Sequence, residues 1–354
     1  MGAASDVQNR PGAKMASSSK GKVERRRLWM MMLIRRFEER TYQEYTKRGF
    51  EDPSGEVVKR IGGFCHLYSG QEAVAVGIAA VFEPKRDYLV NGYRDHGHAL
   101  ALGMSPNAAM AELFGRVTGC SRGKGGSMHF FQAEVGNMGG HGIVGGQIPL
   151  GVGMAFAAWY RKTGGVSFTL FGDGALNQGT FNESMNLASL WKLPCLFICE
   201  NNGLAMGTQV HRSSAETDLA RRGAGYAMPC RNVDGNDLNE VIAAVQEAAG
   251  RARAGEGPSF LVMNTYRFRG HSMSDPQKYR TREDLERARQ RDPILLYERY
   301  LREQGLLEDG AVDQMDNEIS QIVNEAVKFS EQSPHPDLRE LYEHVLSEVY
   351  PLEK

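Results

Sequence analysis

The chain has 354 residues, 41% hydrophobic and 24% charged, which excludes disorder over most of its length and allows one large core or two modest ones. Lysine plus arginine number 42 against 43 acidic residues, a net charge of −1, so no overall basic field exists to hold a nucleic-acid backbone or an anionic membrane. Five cysteines, an odd number with no CxxC pair, argue against a disulfide scaffold or a zinc ribbon.

Residues 1–27 are rich in Ser, Gly, Ala and charge, lack apolar periodicity and end in Arg25-Arg26-Arg27; they read as a mobile tail of a cytoplasmic protein. A transit peptide is the rival reading and would place the chain in the mitochondrial matrix or a plastid. Asp6, Glu24 and the missing apolar face weigh against it. The apolar run Leu28 to Ile34 is seven residues long, far short of the roughly 20 a membrane span needs. Met30, Leu33, Ile34 and Phe37 recur at helical spacing and predict an amphipathic helix that Gly49 stops. Between Gly136 and Gly153 eight glycines fall within eighteen residues, so backbone there approaches something closely.

From residue 166 the pattern alternates. Val166 to Phe171 reads as a strand, Phe181 to Trp191 as a helix and Cys195 to Cys199 as a second strand. Asp237-x-x-Glu240 has the form of a capping box, opening a helix to about Ala254, before a third strand at Phe260 to Tyr266. This order predicts an α/β fold, a mainly parallel sheet with helices on both faces, spanning 28–281. Residues 282–354, charged and helical in period, read as a peripheral helical arm.

The chemistry concentrates at two strand ends. Gly172-Asp173-Gly174-Ala175 follows the first strand of this run and Glu200-Asn201-Asn202 follows the second, so in a βαβ unit Asp173 and Asn202 reach the same sheet edge. A carboxylate and an amide are hard oxygen ligands suited to Mg2+, whose remaining positions favour phosphate oxygens. The glycines expose backbone N–H groups, and a helix opening between Ala175 and Phe181 would add its positive end. Each fragment alone is explained by turn chemistry; together, one helix apart, they read as a site for a metal and a diphosphate. Neither a Walker Lys-Ser/Thr nor the third glycine of a dinucleotide fingerprint is present.

Gly172-Asp173-Gly174 with Asn201-Asn202 resembles the signature of thiamine-diphosphate enzymes. The surroundings resemble the α subunit of the 2-oxo-acid dehydrogenases, pyruvate dehydrogenase above all. The blocks run in order: Gly63-Phe64-Cys65-His66-Leu67, Gly70-Gln71-Glu72-Ala73, Tyr93-Arg94, Gly123-Lys124-Gly125-Gly126-Ser127-Met128-His129, Gly142-Ile143-Val144-Gly145, Leu190-Trp191-Lys192-Leu193-Pro194 and Arg269-Gly270-His271-Ser272-Met273-Ser274-Asp275-Pro276. The resemblance implies the thiamine-diphosphate-binding fold, with Asp173, Asn202 and the carbonyl of Leu204 on Mg2+. It implies Gly174, Ala175, Tyr93, Arg94 and His271 at the diphosphate, Gly142 and Val144 beside the aminopyrimidine, and His66 at the substrate end. His66 and His271 are the residues it offers for positioning substrate or managing protons.

The activity implied is oxidative decarboxylation of pyruvate with reductive acetylation of a lipoyl domain on a dihydrolipoyl acyltransferase. It requires a β subunit, two α with two β, that contributes the glutamate beside the aminopyrimidine. Small residues at Gly151, Gly153, Ala155, Ala157 and Ala158 suit either that contact or ordinary helix packing. Acetoin and branched-chain 2-oxo-acid dehydrogenase α subunits are alternatives, as is a non-catalytic phosphate-binding scaffold, which the Asp173/Asn202 pair disfavours. Gly203-Leu204-Ala205 departs from the usual segment with tyrosine, Gln132 and its neighbours stay unassigned, and Ser272 resembles a phosphorylation site of the eukaryotic enzymes.

Overall fold

A computed structural model describes residues 19–51 and 57–344. Its sheet has six strands: β1 (Tyr88–Gly92), β2 (Asn137–His141), β3 (Ser167–Gly172), β4 (Cys195–Asn201), β5 (Cys230–Asp234) and β6 (Ser259–Asn264). They lie in the order β2-β1-β3-β4-β6-β5, every neighbouring pair parallel. The central strands β3, β4 and β6 are apolar on both faces, as a parallel sheet covered twice requires. Phe168 and Leu170 of β3 and Ile198 of β4 face one cluster, while Phe171, Phe197 and Cys199 face another.

The principal helices are α1 (Ser19–Thr46), α2 (Glu72–Ala79), α3 (His96–Ala101), α4 (Pro106–Leu113), α5 (Gln147–Arg161), α6 (Gly179–Leu190), α7 (Leu238–Arg253), α8 (Pro293–Glu303) and α9 (Ala311–Gln332). Val74 and Ile78 of α2 and Val241 and Val245 of α7 cover one face of the sheet. Ile148 and Val152 of α5 and Phe181 and Met185 of α6 cover the other. Asp237 caps α7 by accepting from Asn239 N (2.9 Å) and Glu240 N (3.1 Å), but the box does not close. Glu240 takes the N–H of Asp234 (3.2 Å) instead of reaching back to its cap.

Two boundaries differ from the sequence reading. The reading of 1–27 as a tail is corrected for 19–27, because α1 begins at Ser19; residues 1–18 lie outside the described residues. The extra turns are held from a distance, since buried Glu24 accepts the hydroxyl of Tyr297 on α8 and pairs with Arg27 at 2.8 Å. The arm is corrected in part: the helix Arg282–Arg289 buries no residue, as a peripheral arm would, but α8 and α9 are not peripheral. Tyr297 and Leu301 of α8 and Ile319, Val323 and Val327 of α9 form one buried cluster with Leu28, Met31 and Ile34 of α1. Periodicity identifies such helices but carries no information about which distant face accepts them. Residues 345–354 of that segment lie outside the described residues.

The small residues of α5 divide. Gly151 packs against β3, where a Cβ would stand 2.0 Å from Thr169 Oγ1, and Ala155 and Ala158 are buried. Gly153 faces open space, and Phe156, Trp159 and Tyr160 are exposed. Among the described residues no helix is long and apolar enough to cross a membrane.

Candidate active site

In the sheet order, β2 lies on one side of β1 and β3 on the other, so the chain changes direction at β1/β3 and leaves a crevice at their carboxyl ends. Gly172, the last residue of β3, is in register with Glu200 near the end of β4. Five strands exit around that crevice: Tyr93 and Arg94 follow β1, Gly142 follows β2, Asp173 follows β3, Asn202 follows β4, and Arg267 and His271 follow β6. A cavity of about 360 Å³ is lined by every residue proposed from sequence: His66, Tyr93, Arg94, Gly142, Val144, Asp173, Gly174, Ala175, Asn202, Leu204 and His271.

The electrostatics are those of an anion site. Arg94 is buried, donates to the carbonyls of Leu67 (2.6 Å) and His271 (2.8 Å), and has no carboxylate within ion-pair distance among the described residues. Burial, then repulsion from Arg267, pushes it down to about 10. Arg267 is buried too and donates to the carbonyls of Arg269 (3.1 Å), Leu204 (3.4 Å) and Met206 (3.3 Å) and to the hydroxyl of Tyr279 (3.0 Å). Glu38 and Glu200 act on Arg94, and Asp173 on Arg267, but neither guanidinium makes a contact ion pair among the described residues, so two buried cations in one cavity can accept an anion from outside the chain.

The acceptor side is built at Asp173 and Asn202. Burial raises the carboxyl of Asp173 to about 6, opposed by hydrogen bonds from the chain. Asn202 donates its Nδ2 to Gln71 Oε1 (3.1 Å), while its Oδ1 is buried with no hydrogen-bond partner among the described residues. Among those residues no three His, Cys, Asp or Glu side chains converge as a metal site. Leu204 lies in the short hairpin Leu204–Ala205 with Thr208–Gln209, and its carbonyl already accepts from Arg267.

These residues fit magnesium diphosphate. Buried atoms without partners line the cavity at Gln71 Nε2, Asn91 Nδ2, Gln147 Oε1, His66 Nδ1 and His271 Nδ1. Gly174 leaves the backbone bare, because a Cβ there would meet the Ala205 methyl at 2.8 Å. The helix expected to open between Ala175 and Phe181 does so at Gly179: Asp173–Asn177 is a 3-10 turn, and Gln178, extended at φ −81° and ψ 144°, separates it from α6. Any anion contact at that turn comes from local backbone groups.

At the opposite end three rings meet: His66 and Tyr93 with centroids 4.6 Å apart, His66 and His271 at 5.1 Å, Tyr93 and His271 at 5.5 Å. Burial first, and Arg94 next, hold His66 down to about 2 and His271 to about 4, so both are neutral at physiological pH. Their mouth opens between Phe64, Met206, Ser272 and Asp275. Sequence reasoning gave no role to Arg267, Gln71, Asn91, Gln147 and Glu200, all of which line the cavity. Gln71 stood in a quoted block, and Arg267 follows a strand end as Arg94 does; neither has a spacing that announces a ligand.

The glycine-rich block 123–127 serves the scaffold. The N–H groups of Ser121 and Gly123 (both 2.8 Å), Gly125 (2.8 Å) and Gly126 (2.9 Å) converge on the buried carboxylate of Glu112 at the end of α4. The turn thus wraps an anion of the chain itself.

The chain matches the family described as "Dehydrogenase E1 component" over residues 29–339. It is 50% identical over 317 residues to the pyruvate dehydrogenase E1 component subunit alpha of Rhizobium meliloti (strain 1021), covering 89% of this chain and 88% of that one. The protein of the same name from Zymomonas mobilis is 49% identical over 321 residues, 90% of this chain and 87% of its own. The somatic mitochondrial form of Homo sapiens is 43% identical over 326 residues, 92% of this chain and 80% of its own.

Proposed function

The chain belongs to the dehydrogenase E1 component family, and from that premise we propose that it is the α subunit of a pyruvate dehydrogenase E1 component, working with thiamine diphosphate and Mg2+. The observation that carries the cofactor reading is the pair of buried guanidiniums, Arg94 and Arg267, facing Asp173 and the free Oδ1 of Asn202 across one cavity. Thiamine diphosphate, when bound, supplies the electron sink that decarboxylation of a 2-oxo acid requires.

The chain's own part is to hold and orient. Asp173, Asn202 and the Leu204 carbonyl would hold the cation, and Arg94, Tyr93 and the backbone of Gly174 and Ala175 the diphosphate. Gly142 and Val144 border the space for the aminopyrimidine. His66 and His271, neutral and with Nδ1 free of partners, can exchange a hydrogen bond with a carbonyl or carboxylate and carry no competing charge.

A β subunit is the partner. An exposed aromatic surface on α5 and the end of α6 supports this: Phe156 lies 5.7 Å from Trp159, 6.0 Å from Tyr160 and 5.7 Å from Trp191, with Leu190 beside them largely exposed. Transfer of the acetyl group to a lipoyl domain through the mouth at Phe64 and Met206 completes the reading. The test is pyruvate decarboxylation by the chain alone and with a co-expressed β subunit, with thiamine diphosphate and Mg2+ added in turn. Activity is expected only with the partner and both cofactors; full turnover by the isolated chain overturns the two-subunit reading.

A further inference from the structure

His66 sits in a segment with no regular secondary structure, yet three successive residues of it are fixed by side chains. The N–H of His66 donates to Ser127 Oγ at 3.0 Å, the carbonyl of Leu67 accepts from Arg94 at 2.6 Å, and the N–H of Tyr68 donates to Glu38 Oε1 at 2.7 Å. Ser127 and Glu38 are the two ends of one buried chain. His96 Nε2 lies 2.9 Å from Ser127 Oγ and 3.0 Å from the Ser127 carbonyl, and His96 Nδ1 lies 3.0 Å from both oxygens of Glu38. The ring is clamped in place, stacked on Phe130 at 4.8 Å and met edge-on by Phe37.

Serine, histidine and carboxylate in this order have the outline of a nucleophilic triad, but the protonation pattern works against that use. A carbonyl and a carboxylate are acceptors only, so the Ser127 carbonyl and Glu38 both favour a proton on the ring nitrogen each faces. Burial opposes the charge on this ring, but Glu38 outweighs it and raises the His96 pKa, which disfavours the neutral base that taking the serine proton would need. His96 and Glu38 are fully buried, and Ser127 nearly so. A substrate cannot reach them.

We propose that Ser127, His96 and Glu38 are positioning residues for His66: one internal ion pair holds the backbone on both sides of the histidine and thereby sets where its imidazole meets the substrate. The inference rests on the reading of His66 as a substrate-facing group. Ser127→Ala removes one anchor and leaves the ion pair and the diphosphate ligands intact. Displacing a reacting group by about 1 Å costs up to about 100-fold, so kcat should fall about 10- to 100-fold with KM and thiamine diphosphate affinity little changed.

The test uses the assembled enzyme with its β subunit and four variants: S127A, S127T, H66A and S127A/H66A. Pyruvate turnover is measured by steady-state kinetics and cofactor affinity by calorimetry. S127A is expected to lose kcat while binding thiamine diphosphate within about twofold of the parent, and S127T, which keeps the hydroxyl, to recover most of the rate. If Ser127 acts through His66, the double variant is no slower than H66A alone. Parent-like kcat in S127A, or fully additive losses in the double variant, overturns the positioning role. Parent-like turnover in H66A overturns the substrate-facing reading beneath it.

Discussion

Replacing Arg94 by methionine separates stability from ligand binding. The guanidinium is buried without a carboxylate, and its displacement from the usual 12.5 to about 10 places the cost of carrying charge in the empty fold at about 3 kcal/mol. Methionine keeps the apolar stem and fills much of the same volume, removing that cost while leaving the carbonyls of Leu67 and His271 without a donor. Each orphaned acceptor costs on the order of 1 kcal/mol. The ligand-free protein should therefore be as stable as the parent or up to about 1 kcal/mol more so. Truncating one partner of a true buried ion pair instead loses about 3–5 kcal/mol. The assay is urea unfolding with and without magnesium thiamine diphosphate. Ligand at 100 times its Kd adds about 2.7 kcal/mol to the parent. Arg94→Met should gain little or nothing at that concentration. A ligand-free variant destabilised by 3 kcal/mol or more, or one that gains as much from ligand as the parent, would refute the reasoning.

Asp173→Asn should weaken cofactor binding by about 100-fold and abolish its dependence on Mg2+, read by calorimetry with the cation titrated; an unchanged Mg2+ requirement removes Asp173 from the cation site. Gly174→Val drives a side chain into Ala205 at the hairpin that carries Leu204, so cofactor affinity should fall at least about 10-fold with the unfolding midpoint nearly kept. Gly151→Val collides with Thr169 inside the sheet and should instead cost about 1–3 kcal/mol of stability. His66 and His271 are held neutral, so below about pH 6.5 the unfolded chain binds protons that the fold refuses. Their contribution to stability is complete above pH 6.5 and is lost as pH falls, down to about 4 for His271 and about 2 for His66. His66→Gln should flatten that acid limb of the urea midpoint; an identical limb in the variant would count against a neutral buried ring.

What could be read without coordinates follows from how local each signal is. Strands β3, β4 and β6 announce themselves as short apolar runs between turns, and each ends where the chemistry begins, so Asp173, Asn202 and His271 could be placed on one edge from topology alone. Strand β2, with the sequence Asn-Met-Gly-Gly-His, offers no β-branched residue and could not be recognised as a strand. Its glycines and the one just before it answer to contacts far along the chain: a Cβ on Gly140 would stand 2.0 Å from Asp95 Oδ2, and one on Gly136 would stand 2.1 Å from the Asp87 carbonyl. Hence the density of glycine was visible and its cause was not. Arg94 and Arg267 show the same limit more sharply. Their meaning lies in burial without a contact ion pair among the described residues, and that exists only once burial and distance are known. The sequence therefore reveals ligands that sit at strand ends, while the charge imbalance that makes those ligands a site emerges only from packing.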